Sequence, residues 1–136
     1  MKRAFTLVEL IVVIVIIGIL GSIAIPAYLK IKERSYSAEA WVNVGALFKG
    51  EKAYYLDHES WQFDISQLPV DNPNDNASRR FNYTCGNAVY LYFRGTGIAA
   101  RGTGWQYEIR CVSCGSSSES IQRWELPPGG SWQQVD

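Results

Sequence analysis

Histidine is almost missing from this chain: His58 is the only one among 136 residues. Imidazole is the commonest general base near neutral pH and the commonest metal ligand. A Ser-His-Asp relay would therefore have to use His58, which lies in Asp57-His58-Glu59-Ser60 at a helix end, with no nucleophile elbow nearby. Phosphate-cradling loops are missing too, because Gly95, Gly97, Gly102 and Gly104 punctuate turns and no helix follows them. Net charge is absent: 13 Lys and Arg cancel 13 Asp and Glu, so whole-chain electrostatics do not point to nucleic acid. Arg79, Arg80, Arg94, Arg101, Arg110 and Arg123 alternate with Glu108, Glu119 and Glu125, which reads as a mixed solvated surface rather than a phosphate-binding stripe. Cysteine is scarce, with Cys85, Cys111 and Cys114 only. With His58 these match no zinc-knuckle spacing, and Cys111-x-x-Cys114 precedes a Gly-Ser loop instead of a helix, unlike a thioredoxin-type motif. Neither a metal nor a cofactor is expected, and the chain does not read as an enzyme.

Charge is also missing from one long stretch. Residues 5–29 contain a single charged side chain, Glu9. An apolar run of about 18 or more residues spans a bilayer as a helix. A carboxylate inside such a run costs roughly 2.5–3.5 kcal/mol at the centre and less near an end, so it reads as functional. No Ala-x-Ala cleavage site follows the run, which argues against an ordinary secretory signal. Lys2 and Arg3 on one side and Lys30, Lys32 and Arg34 on the other leave orientation open to the positive-inside rule.

At these residues the chain resembles the type IV pilins and pseudopilins. Lys2-Arg3-Ala4-Phe5-Thr6-Leu7-Val8-Glu9-Leu10, followed by an uninterrupted apolar run, is similar to the class III signal of that family. The resemblance implies that residues 1–4 are a leader, cut by a prepilin peptidase between Ala4 and Phe5, and that the new Phe5 amine is methylated. Glu9 then becomes the fifth residue of the mature chain, and its implied partner is the cationic Phe5 amine of a neighbouring subunit. The family usually has Gly before the cut. Ala4 is the next smallest residue, so slower or still adequate cleavage is expected. The likeness is specific over residues 2–30 and loose beyond.

After Pro26 the pattern turns amphipathic. Tyr36, Ala40, Val44, Leu47, Phe48 and Tyr55 recur at helical spacing, with Lys32, Glu33, Glu39, Lys49, Glu51 and Lys52 mostly between them. One helix over about 5–55 is predicted, kinked near Pro26, which lacks an amide donor. Gly18 and Gly21 each weaken it by about 0.8–1 kcal/mol relative to Ala, so residues 18–26 are its weakest part. The resemblance implies partial unwinding there in an assembled fibre; close helix approach at the two glycines is a compatible alternative. Asp64-Ile65-Ser66-Gln67 predicts a short capped turn, and residues 69–78 a surface loop. Alternation then predicts three or four antiparallel strands: Phe81 to Cys85, a turn at Gly86-Asn87, Val89 to Phe93, Trp105 to Cys111, and Ile121 to Leu126, ended by Pro127-Pro128-Gly129-Gly130.

The predicted class is α+β, with the C-terminal half of the helix packed on a three- to four-stranded sheet. Its parts are a leader at 1–4, a membrane and filament-core helix at 5–29, and a head at 30–136. Three single disulfides are possible, and the sequence does not choose among them. Loop closure favours Cys85 with Cys111 or Cys114, worth roughly 3–4 kcal/mol. The resemblance implies a structural filament subunit whose partners are copies of itself, the inner membrane before assembly, the peptidase and the assembly machinery. It implies an inner-membrane precursor and then an extracellular pilus. A secretion-system pseudopilin is the alternative, but residues 112–136 hold only Glu119, Glu125 and Asp136 as acids, too few for the calcium site common in such heads. A membrane-tethered binding or enzymatic module is the alternative from another class.

Overall fold

The computed structural model describes residues 5–87, 90–98, 104–112, 114 and 119–135. The expected cleavage residue Ala4, strand position Val89 and loop glycine Gly102 lie outside them. The chain divides into two compact units, Met1–Ser35 and Tyr36–Asp136. A single helix, α1, runs Leu7–His58 and supplies residues to both.

In the first unit every described side chain from Phe5 to Ser35 is exposed, apart from the partly exposed Gly21. Helix α1 is long and apolar enough here to cross a membrane. It is continuous through Pro26. The Ser22 carbonyl, four residues back, gains no donor from that proline, while the Ser22 hydroxyl bonds to the Ile19 carbonyl at 2.7 Å. A Cβ added at Gly18 or Gly21 would meet nothing within 4 Å in this chain, so neither glycine serves an intramolecular close approach.

In the second unit α1 buries Ala40, Val44, Leu47, Phe48, Gly50 and Glu51, the i, i+4, i+7, i+8 stripe of a helix with one covered face. The stripe packs on the sheet; Phe48 meets Phe93 edge-on with ring centroids 5.9 Å apart. Full burial of side chains such as Leu47, Phe81 and Phe93 stabilises by about 1.5–3 kcal/mol each. Glu51 corrects the sequence reading, which placed it among the polar positions. It is fully buried, and its carboxylate accepts a hydrogen bond from the Gln62 backbone amide, tying down the chain after the helix. Among the described residues its second oxygen has no partner, and burial raises its pKa. The helix ends at Glu59, whose φ of 52° lies in the left-handed region and whose amide caps the Tyr55 carbonyl at 2.8 Å. A predicted turn follows as a single 3₁₀ turn, Ile65–Gln67, capped by the Asp64 carboxylate on the Ser66 amide.

The sheet is an antiparallel meander in the order β1 (Phe81–Asn87), β2 (Leu91–Gly97), β3 (Gln106–Val112), β4 (Ser120–Leu126) and β5 (Gln133–Val135). Besides Gly95 and Gly97, which read as turn residues but pair inside β2 with Tyr83 and Phe81, two details differ from expectation. Gly86 and Asn87 lie inside β1, opposite Tyr92 and Leu91, so they are not the hairpin turn. Gly86 is needed for a close approach: a Cβ there would come 2.7 Å from the Tyr92 hydroxyl oxygen. Secondly, Pro127-Pro128-Gly129-Gly130 does not end the sheet. Gly129 takes φ 71°, the Gly130 amide bonds to the Pro127 carbonyl at 3.0 Å, and this glycine-dependent turn returns the chain as a fifth strand.

The cysteines also correct the loop-closure argument. Cys111 bonds to Cys114, with Cα atoms 5.6 Å apart, and Cys85 is unbonded. Strand β2 lies between Cys85 and Cys111, since Cys85 faces Phe93 and Leu91 faces Cys111. Two strand spacings, about 10 Å, exceed the roughly 7 Å that a disulfide spans. The loop actually closed is short, so its contribution falls to about 2 kcal/mol. Cys85 instead donates its S–H to the Phe63 carbonyl at 3.0 Å, and burial pushes its thiol pKa up to about 11.

Candidate functional site

The functional candidates Phe5 and Glu9 sit at the start of α1, and the structure adds Thr6 to them. The Thr6 amide and hydroxyl both donate to Glu9 Oε2, at 2.9 and 2.7 Å. The Glu9 amide in turn reaches the Thr6 hydroxyl at 3.3 Å. This is a capping box: two polar side chains three residues apart satisfy amides that the first helical turn leaves unpaired. The signal was present in the sequence as Thr6-x-x-Glu9 ahead of an apolar run, and the reading of Glu9 as a lone costly charge passed over it.

The box fixes where the carboxylate points and when it is satisfied. Glu9 is exposed in this chain and no cation pairs with it among the described residues. Phe5 is 74% exposed beside it. Around them lies an apolar helix surface with Leu7 and Val8 also about as exposed. With Ala4 attached, the Phe5 nitrogen is a peptide amide and carries no charge. Hydrolysis of that bond turns it into an amine, which is cationic at neutral pH. The structure brings Phe5, Thr6 and Glu9 into one turn; Gly18, Gly21 and Pro26 lie further along the same exposed surface.

The head has polar clusters of a different kind, on the sheet face away from α1. Glu108 is fully buried. Arg94 on β2 pairs with it at 2.6 Å, and Arg110 on its own strand takes the other oxygen. The Arg110 guanidinium lies 4.1 Å from the Trp124 ring centroid and 5.3 Å from that of Trp132, which the unexpected fifth strand carries onto this face. The face read as a mixed solvated surface is therefore a second, small, charged core. Arg80 pairs with Glu39 at 3.0 Å and lies over Tyr36, and Trp41 donates to Glu125 at 3.2 Å. These arginines are engaged within the head. His58 is exposed, as expected, with its ring stacked on Tyr54.

A capped, charge-bearing helix start lies ahead of a long exposed apolar surface, and comparison with known proteins picks out the same stretch. The family model for the prokaryotic N-terminal methylation motif matches residues 1–25. Similar curated proteins include the type IV major pilin protein PilA of Myxococcus xanthus (strain DK1622), 42% identical over 60 residues, or 44% of this chain and 27% of the relative. A type IV major pilin protein PilE1 of Neisseria gonorrhoeae is 37% identical over 78 residues, 54% of this chain and 44% of the relative. The fimbrial protein EcpC of Eikenella corrodens is 36% identical over 95 residues, 70% of this chain and 58% of the relative. No solved structure matches. The chain is thus similar to type IV pilins and fimbrial proteins, and it matches less than two thirds of the length of each of these relatives.

Proposed function

We propose that the chain is the structural subunit of a type IV pilus, assembling through its N-terminal helix into an extracellular filament. The observation that carries this is the exposed Glu9 carboxylate, held by Thr6 beside Phe5 on an apolar surface that none of the described residues covers. Residues 1–4 are the leader. A prepilin peptidase cuts between Ala4 and Phe5, and the Phe5 amine is methylated and stays cationic. In the membrane, residues 5–29 anchor the precursor. In the fibre the same helices pack on each other, and Glu9 meets the Phe5 amine of a neighbour. An unpaired charge away from water is strongly unfavourable, so this pair selects register where apolar packing alone would slide. Such a contact joins two different patches and does not close, which is what a filament requires. Residues 18–26, weakened by Gly18, Gly21 and Pro26, are where the helix unwinds on assembly. The role is structural rather than enzymatic, and the relatives' names, major pilin and fimbrial protein, favour a pilus over a secretion pseudopilus.

Shearing cells and analysing the released material by mass spectrometry tests the proposal. Long fibres whose N-terminal peptide begins at a methylated Phe5 are expected. Retention of the whole chain in the membrane fraction, with nothing sheared, would overturn the pilus reading in favour of the tethered alternatives.

A further inference from the structure

The head holds a second cluster that filament assembly does not use. Cys111 lies near the end of β3, Cys114 in the turn that follows, and Glu119 immediately before β4. The register that sets Val112 opposite Ser120 brings Glu119 back beside the Cys-x-x-Cys loop. The two sulfurs and a Glu119 carboxylate oxygen all lie within 4.8 Å of one another.

We propose that, once the disulfide is reduced, Cys111, Cys114 and Glu119 form a binding site for a borderline divalent cation, with zinc preferred. Two thiolates and one carboxylate suit zinc, which takes sulfur at about 2.3 Å and carboxylate oxygen at about 2.0–2.2 Å in tetrahedral sites with water in an open fourth position. Hard cations such as calcium and magnesium prefer all-oxygen shells and are disfavoured here. Tetrahedral geometry needs the sulfurs about 3.8 Å apart, a modest opening of a pair whose Cα atoms stand 5.6 Å apart. A cleft of about 330 Å³ lined by Lys52, Tyr55, Leu56, Trp61 and Glu119 opens onto the Glu119 side of the cluster.

Lys52 supplies the remaining charge logic. In the disulfide form its ammonium pairs with Glu119. Zinc with two thiolates and one carboxylate carries one net negative charge, and Lys52 stays close enough to offset it after Glu119 turns to the metal. The chemistry balances. A dithiol gives the S–S bond two electrons and two protons and becomes a disulfide, or a phosphine gives two electrons while water supplies two protons and the oxygen of the phosphine oxide; either way two thiols result, and the ion then displaces those two protons as it binds the thiolates. Disulfide and metal are mutually exclusive, so occupancy reports the redox state of the pair. The short loop makes this exchange tolerable, because the β3–β4 ladder holds Cys111 opposite Ile121 whether or not the bridge is intact.

The test is an anaerobic cobalt(II) titration of the full chain in detergent micelles, reduced with a phosphine. Tetrahedral d–d bands and thiolate-to-cobalt charge-transfer absorption are expected at one ion per chain, abolished by stoichiometric zinc. The oxidised chain should show neither. Cys111→Ser and Cys114→Ser should lose the charge-transfer band, Glu119→Gln should bind about 10–100-fold more weakly, and Cys85→Ser should behave as the unaltered chain. Absence of tetrahedral bands in the reduced chain overturns the proposal. So does unchanged affinity in Glu119→Gln, or loss of the bands in Cys85→Ser. Far-ultraviolet circular dichroism of each variant separates lost binding from lost fold.

Discussion

In residues 5–35 the apolar side chains face outward and the exposed Glu9 carboxylate is held by its own turn. In the unit from Tyr36 onward the apolar side chains form a core, and Glu108 is clamped by Arg94 from the neighbouring strand and Arg110 from its own. The two carboxylates differ in burial and in partners: Glu9 is exposed and Glu108 is fully buried. Glu108 has its cations within the folded chain, so its pairing contributes to one molecule's stability. Among the described residues Glu9 has only the Thr6 amide and hydroxyl, and under the proposed function a neighbouring molecule supplies its counter-charge. The head covers its apolar side chains, whereas the N-terminal helix leaves its own exposed, and that surface is what the proposed filament would bury.

Four substitutions break or sharpen that contrast. The largest effect is expected from Glu9→Gln: membrane insertion and head stability unchanged, sheared filament reduced on the order of tenfold or more, because the intermolecular charge pair is lost. Immunoblots of sheared and membrane fractions measure it, and a normal filament yield would remove Glu9 from assembly. Next is Glu108→Ala, which strands two arginines and should destabilise the head by about 3–5 kcal/mol. Thermal denaturation reads this directly, and a loss under about 1 kcal/mol would mean the cluster is effectively solvated. Thr6→Ala should cost about 1 kcal/mol of helix-start stability without moving the head transition. Faster amide exchange in residues 7–10 alone is the signature, and a shifted head melting temperature would contradict the separation into two regions.

The smallest effect is expected from Glu51→Gln, and it depends on pH. Burial raises the Glu51 pKa above its ordinary 4.5, so in that window the folded head binds more protons than the unfolded chain. Stability from this group is then full below the ordinary value and is lost as pH rises through the raised one. Gln keeps an acceptor for the Gln62 amide without a charge. The variant should match the parent in acid and equal or slightly exceed it at neutral pH. A parent whose melting temperature shows no such relative decline would place Glu51 in contact with water.

The long helix and its two faces were legible because each follows from a period in the sequence. Uncovered apolar residues on every side of 5–29 and a 3.6-residue stripe from Tyr36 onward need no knowledge of partners. Strands β1, β3 and β4 were legible from alternation within a residue or two at each end, whereas β2 runs on to Gly97 through glycines that read as turn residues. The failures share a cause. Glu51 and Glu108 occupy positions that read as polar, and they are buried because groups distant in sequence close over them: the Gln62 amide for one, and Arg94, Trp124 and Trp132 for the other. The Cys85 bridge failed because loop-closure entropy ignores strand order, and β2 stands between the two cysteines. Strand β5 was missed because Pro-Pro-Gly-Gly signals a turn without saying whether the chain returns.

What the sequence alone determined is the class of the molecule and its functional end. The motif around Phe5 and Glu9, the apolar run behind it and even the Thr6 cap are local, and local patterns dictate local structure through sterics, helical period and amide satisfaction. What only the tertiary structure decided is which polar groups in the head lose their water and which cysteines meet. Those outcomes depend on sheet order and register, which bring together groups far apart in the chain, and no short-range pattern fixes the cost or the partner of a charge until that fold exists.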